Sequence, residues 1–396
     1  MWGIPFQLFA PYVSVYMLAL GLDDRQIGLI ASISLLVQIF FSLLSGAITD
    51  KLGRKRTTFI YDIIAWSIPT LIWAFAQNFW YFVIAAVIAG VGRVTMISWQ
   101  CLLVEDTEPE QIIDIYTWVY ISGRLAVFFA PLAGLLIARF TLVPTVRGLY
   151  LLAFVLMTAK FFVLNRFVTE TRQGKIRMQQ TKDQPLFTLL REYRGVFWQI
   201  LGTPQTLSTI GIFLVMSIAD TINSSFWSII VTRRIMIPED HLALFPFARS
   251  LIALLFFFLV QPRIRHMKFR NPMVVGFAGF VVAQTLLVNV PEKNYVLLLI
   301  SVLIEACSYA TVGTQLDRMV VLTVDPQERA RIMSIIYVVV ISLASPFGYI
   351  AGQLSSISRI LPFLLNIILF IVGGTLVLLA ARLSEQKSQT AQALEA

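Results

Sequence analysis

Residues 46–57 read GAITDKLGRKRT, and their setting decides the fold. Residues 27–44 before them are almost wholly apolar, and residues 59–76 after them are apolar again. Between the two blocks stand Asp50, Gly46, Gly53 and the basic side chains Lys51, Arg54, Lys55 and Arg56. Twenty or so apolar residues are what a helix needs to cross about 30 Å of hydrocarbon. A knot of cations between two such blocks is placed to meet the anionic face of a membrane.

The same alternation runs through the chain. Of 396 residues, 58% are hydrophobic and 13% are charged; a globular domain in water carries about 25% charged residues. The apolar residues come in long blocks and not in the period-2 alternation of barrel strands. With no water to satisfy backbone groups in lipid, the blocks must be helices. About twelve spans follow: 4–21, 27–48, 57–76, 79–103, 112–138 and 149–167, then 206–232, 241–260, 272–290, 295–317, 331–353 and 360–382. The expected fold is all-α and polytopic, with two six-helix bundles over 1–168 and 206–383, a basic linker over 169–205 and a tail over 384–396. In the linker, Leu186, Phe187, Leu189, Leu190, Val196, Phe197 and Ile200 recur at near-helical spacing, which predicts a helix lying in the headgroup plane.

Lys and Arg are enriched in cytoplasmic loops. The side that holds Lys51 to Arg56, the linker, Arg263, Arg270, Arg329 and Arg331 carries the excess, so it and both termini are expected in the cytoplasm. The acidic connector from Glu105 to Asp114 dissents, but acidic residues weigh little in this rule. The first span begins almost at Met1 with no cleavable signal pattern, which leaves a longer natural start open. Several classes are excluded. Cys101 and Cys307 are far apart, and His241 and His266 are isolated, so neither a metal nor another cofactor is expected. No nucleophile–base pair or phosphate loop is visible, which argues against an enzyme. The formal net charge of +9 sits in short connectors, where membrane lipids and not nucleic acid are the partner.

The halves echo each other. Aligning Pro109 with Pro326 sets Tyr120 against Tyr337, and a two-residue gap then sets Pro131 against Pro346. Small residues follow both prolines, which lets helices approach closely.

GAITDKLGRKRT resembles the signature of the major facilitator superfamily, G-x-x-x-D-R/K-x-G-R-R/K-R/K, between the second and third spans. Gly46, Asp50, Lys51, Gly53, Arg54, Lys55 and Arg56 all fit it, and the six-linker-six layout extends the resemblance over the chain. It implies that these residues form a latch at the cytoplasmic face, with Asp50 meeting Arg329 or Arg331 at the start of the eleventh span. The counterpart QPRIRHMKFR at 261–270 lacks the Asp and Gly, so the latch is expected to be asymmetric. Ala126-x-x-x-Ala130-Pro131-x-x-Gly134 is similar to the antiporter motif of the fifth span, with alanine for glycine twice and Leu135 for the last glycine.

Charge inside hydrocarbon marks function, because each such residue costs about 2.5–3.5 kcal/mol to insert. Arg93, Arg124, Asp220, Arg249 and Glu305 fall near the middles of the fourth, fifth, seventh, eighth and tenth spans. The resemblance implies that the first, fourth, seventh and tenth spans line a cavity. Asp220 and Arg249 could pair, which would leave Glu305 without a partner in its half. A carboxylate out of water can bind and release a proton, so Glu305 is the first candidate for proton coupling and Asp220 the second. Arg93 and Arg124 could hold an anionic group of a substrate. Asn223, Trp227 and Tyr309 complete the candidate substrate-binding set, with Tyr12 and Tyr16 as further cavity aromatics. Lys160, on the sixth span, is expected to snorkel toward the interface.

The function expected is a proton-coupled secondary transporter, a monomer in a bacterial plasma membrane, which moves a small organic solute by alternating access. Export of drug-like or amphipathic compounds is preferred. Uptake of a sugar, amino acid or peptide is the first alternative, and a transporter-like sensor or lipid-handling protein the second.

Overall fold

The computed structural model describes residues 3–182, 204–264, 267, 269–323 and 329–395. Among them every regular element is helical. Eleven helices are long and apolar enough to cross a membrane: Asp24–Leu52, Arg54–Ala74, Phe79–Val104, Ile121–Phe140, Leu142–Phe167, Leu207–Arg233, Glu239–Leu259, Arg270–Asn289, Tyr295–Leu316, Ile336–Ile357 and Leu361–Arg382. They are the second to twelfth spans in order. The first predicted span is instead the shorter Gly3–Ala19, which tightens into a 3₁₀ turn at Ala10–Tyr12. Pro11 sits in that turn, where its missing N–H interrupts the α-helical ladder. Large apolar side chains coat the outside, Leu135 and Val275 each at 69% exposure. Acyl chains can cover such a surface and water cannot. The chain is an integral membrane protein.

The connector read from the opening stretch shrinks to one residue. The second helix continues through Gly46 to Leu52, Gly53 alone turns the chain, and Arg54 begins the next helix. Gly53 has φ 86 and ψ 159, a region open to almost no residue but glycine. A Cβ there would also meet the side chains of Glu170 and Met178. Glu170 accepts the Arg54 N–H at 2.9 Å and the Lys55 N–H at 3.0 Å. It satisfies two amides that a helix start leaves unpaired, and it sets a negative charge at the positive end of the helix dipole.

The third span is not one uniform helix. A π turn runs over Ile63–Ser67, just ahead of Pro69. Pro69 has no N–H for the carbonyl four residues back and crowds it, so the ladder widens there. After the sixth span, Thr171 caps a short helix, Arg172–Thr181, by accepting the Gly174 N–H at 2.9 Å. The helix expected over residues 186–200 lies outside the described residues.

The chain divides into two compact units. One holds Met1–Glu192 with Pro238–Phe247 and Gly348–Gln353; the other holds Tyr193–Ile237, Ala248–Phe347 and Leu354–Ala396. In the first, Tyr16, Tyr150, Phe9, Trp73 and Phe82 form an aromatic core. Tyr16 donates to the Trp73 carbonyl at 2.9 Å. Tyr12 and Tyr16 are fully buried, so they are core residues and not the cavity aromatics expected from sequence. In the second unit, Phe280 stacks on Phe370 at 4.4 Å between ring centres, with Phe277 beside both.

Gly53→Ala should add about 1–3 kcal/mol of strain and lower the unfolding temperature in detergent. Gly21→Ala should lower it less, because Gly21 has a similar φ of 87 with no atom within 4 Å of a new Cβ. Equal losses would mean that Glu170 and Met178 yield without cost.

Candidate functional site

In the second unit the polar residues of the seventh, eighth, ninth, tenth and twelfth spans converge on one carboxylate. Glu305 is 3% exposed. Its Oε1 accepts from Asn223 Nδ2 at 2.8 Å and from Gln284 Nε2 at 3.0 Å. Its Oε2 takes Arg249 Nη2 at 2.5 Å, as an ion pair. Behind this shell, Asn366 Nδ2 reaches Asn223 Oδ1 at 3.4 Å, and the Arg249 guanidinium lies 5.7 Å from the centre of the Trp227 ring. The three donors leave the buried carboxylate satisfied, as a charge taken out of water requires. Gln284 Oε1, Asn366 Oδ1 and Arg249 Nε are buried and reach no protein partner among the described residues.

These contacts overturn one expectation. Glu305 has a partner in its own half, because Arg249 reaches the tenth span and does not pair with Asp220. The Asp220 side chain is exposed and accepts a 3.2 Å hydrogen bond from the Tyr309 hydroxyl. Tyr309 in turn sets its ring edge-on against Phe280. Of the residues expected to touch a substrate, Asn223 donates to Glu305 and Trp227 lies beside the Arg249 guanidinium. Gln284 and Asn366 were missed. A buried Gln and Asn in spans otherwise nearly free of polar side chains were the available signal.

In the first unit, Arg93 Nε donates to Gln38 Oε1 at 2.8 Å. Arg124 is half-buried near the end of the helix Pro109–Ala126. Asp50 pairs with Arg54 at 2.9 Å and with Arg177 at 2.8 Å. Arg54 also pairs with Glu105 at 3.0 Å, and Glu105 accepts from the Thr171 hydroxyl at 2.5 Å. Among the described residues Asp50 is thus paired within the first unit, with Arg54 and with Arg177 of the short helix after the sixth span. The side chains of Arg329 and Arg331 lie outside the described ones. Glu105 also explains the acidic connector that dissented from the charge rule: it is bound to the basic turn. Lys51, Lys55 and Arg56 stand at the same end, with Arg56 exposed.

Lys160 does not snorkel. Its ammonium lies 3.7 Å from Asp62, over the rings of Trp99 at 5.1 Å and Phe161 at 4.8 Å. Asp62 was not among the sequence candidates. The signal was there: it lies eight residues in from Arg54 on the third span, and Lys160 seven in from Phe167 on the sixth. Counted from the same side, the two are at matching depth.

A family model described as the Major Facilitator Superfamily matches residues 3–228, more than half of the chain. The chain belongs to that superfamily. The relatives named below are transporters and not enzymes. An uncharacterized MFS-type transporter, YqjV, of Bacillus subtilis (strain 168) is 28% identical over 127 residues, 32% of this chain and 31% of that protein. The quinolone resistance protein NorA of Staphylococcus aureus (strain MRSA252) is 29% identical over 102 residues, 26% of each chain. The match thus spans less than a third of these relatives. Among solved structures, the nucleoside transporter NupG superposes with a TM-score of 0.69 at 16% identity, over 96% of both chains. A POT family transporter in complex with 5-aminolevulinic acid gives 0.69 at 14% identity, over 97% of this chain and 93% of the other. At such identity the likeness shows the superfamily fold alone.

Arg249→Met should cost about 3–5 kcal/mol, since it leaves the Glu305 charge buried without its counter-ion. Adding Glu305→Gln should recover most of that loss in unfolding measurements. A double variant no more stable than Arg249→Met would contradict the pairing.

Proposed function

We propose that this superfamily member is a proton-coupled secondary transporter that exports a small amphipathic organic solute by alternating access. The observation that carries the reading is the contrast between two carboxylates in the second unit. Glu305 is buried and held by three donors, one of them Arg249. Asp220 is exposed and accepts from the Tyr309 hydroxyl, and since a carboxylate inside a span is costly against acyl chains, this reading turns it toward water. A group that exchanges protons has to be reachable and must tolerate both protonation states; a carboxylate fixed by three donors favours one state. Asp220 is therefore the proton-exchanging group in this reading, and Glu305 a standing negative charge that holds Arg249. This reverses the order of the two candidates expected from sequence.

Exposed Asp220 suits the cationic end of an amphipathic compound, and the Tyr309 ring beside it offers apolar surface to the rest. The partial likeness to a quinolone resistance protein leans the same way. Arg93 and Arg124 remain candidates for an anionic group of the cargo. The cluster around Asp50 and Arg54 serves as a latch in this reading, with its basic end in the cytoplasm of a bacterial cell and lipids around a monomer.

Purified protein in liposomes, screened with amphipathic cations and with sugars, amino acids and peptides, tests the proposal. An imposed pH gradient should drive transport of the amphipathic class. Asp220→Asn should abolish gradient-driven transport and spare solute exchange. Full gradient-driven activity in that variant would remove Asp220 from the coupling. Transport confined to a nutrient class would favour uptake, and no solute-dependent proton flux would favour a sensor.

A further inference from the structure

The first unit holds a titratable pair that the transport reading does not use. Asp62 and Lys160 lie inside the third and sixth spans, about 12 Å and 10 Å from the Arg54 and Phe167 ends at 1.5 Å per residue. Asp62 is 7% exposed. Its Oδ1 accepts from the Thr95 hydroxyl on the fourth span at 2.7 Å. Its Oδ2 faces the Lys160 ammonium at 3.7 Å, looser than a direct hydrogen bond. The ammonium is shared with the faces of Trp99 and Phe161. This pair differs in kind from Glu305 and Arg249, which are in direct contact.

Three further observations point at Asp62. A narrow cleft of about 10 Å³, close to the room that a single water molecule needs, reaches it, with Lys55, Thr58 and Asn165 in its lining. Lys55 stands at the basic end of the unit, so the cleft lies between that end and the carboxylate. Next, Arg54, Thr58 and Asp62 recur four residues apart, and Thr58 shares a 2.7 Å hydrogen bond with Ser98. Then the helix widens: the π turn Ile63–Ser67 starts directly after Asp62. With the wider turn, Ser67 comes a five-residue step after Asp62 and meets Thr158 of the sixth span at 2.7 Å. π turns inside α-helices are frequent at functional sites. The polar seam of the third span therefore stays against the fourth and sixth spans on both sides of Asp62.

From this geometry we propose that Asp62, with Lys160 as its counter-ion, is a second proton-binding site, filled from the basic end of the first unit through the cleft beside Lys55. The charged groups that face it are Lys160 from the sixth span and Lys55 from its own; the fourth span offers the hydroxyls of Thr95 and Ser98. In the ionised state the carboxylate balances the ammonium. On protonation, Oδ1 keeps the Thr95 hydrogen bond, Oδ2 carries the proton, and the Trp99 and Phe161 faces hold the ammonium. The site stands on a different carboxylate from Asp220, so either assignment can fail alone.

The test reads binding and not transport. Dicyclohexylcarbodiimide reacts with protonated carboxyls that lie within hydrocarbon. Wild-type protein in liposomes is treated with it across the pH range over which the protein stays folded, and the Asp62 peptide is followed by mass spectrometry. Above the midpoint, labelling should fall about tenfold per pH unit. In Lys160→Met, which removes the charge that favours the ionised form, labelling should persist to higher pH. A second reading avoids any question of reagent access: on acidification, Asp62→Asn should take up fewer protons than wild type. If either single variant fails to fold, Asp62→Asn/Lys160→Met, in which no charge is left unpaired, replaces it in the proton-uptake measurement. An Asp62 that stays unlabelled at every pH, with proton uptake unchanged in the variant, would overturn the proposal and leave a fixed ion pair.

Discussion

A charge in hydrocarbon must be met by a partner or by water, and the placement of polar residues in this protein follows from that constraint. Glu305 shows it in the strictest form. One carboxylate draws side chains from the eighth, seventh and ninth spans, and through Asn223 from the twelfth. Such a pair is weak ground for stability, because desolvation offsets most of the Coulomb gain. Its value is specificity, since the helices that supply donors must keep a fixed register for all of the bonds to form. The stacked Phe280 and Phe370 and the neighbouring Phe277 fill the space between the same spans with apolar surface.

The first unit meets the constraint differently at its two levels. At the basic end Asp50, Arg54, Glu105, Arg177 and Thr171 form a network in which nearly every charge has two partners. Glu170 closes it from the chain just past the sixth span and caps the third. Deeper in, Asp62 and Lys160 are joined more loosely and with a cleft beside them. Tight networks hold a backbone in place, while loose pairs leave room for a proton. The difference between these two levels parallels that between Glu305 and Asp220 in the second unit.

The fold was legible in the sequence because hydrocarbon imposes length and composition on every span. The position of the basic turn and the fit of Gly53 to its family signature were legible for a related reason: a turn at φ 86 that Glu170 and Met178 crowd has no room for a Cβ. The site was legible only in part. Asp220 and Glu305 stand out as acids in apolar blocks, but nothing in one sequence says which of them Arg249 can reach. That depends on the rotation of the eighth span about its axis. Asp62 escaped because it lies close to a basic turn and reads as part of it. Its depth becomes visible only when it is counted against Lys160 from the same side. The role of Arg177 was hidden for another reason: pairing across 127 positions leaves no local pattern.

The two carboxylates of the second unit are the centre of the proposed mechanism, and infrared spectroscopy distinguishes them most directly. The protonated-carboxyl stretch would be followed as the pH is lowered in wild type, Asp220→Asn and Glu305→Gln. The expected result is that Asp220→Asn removes one component of the band and Glu305→Gln leaves the band whole. A band that survives in Asp220→Asn and loses a component in Glu305→Gln would contradict the assignment and make the buried, triply bonded carboxylate the group that takes the proton.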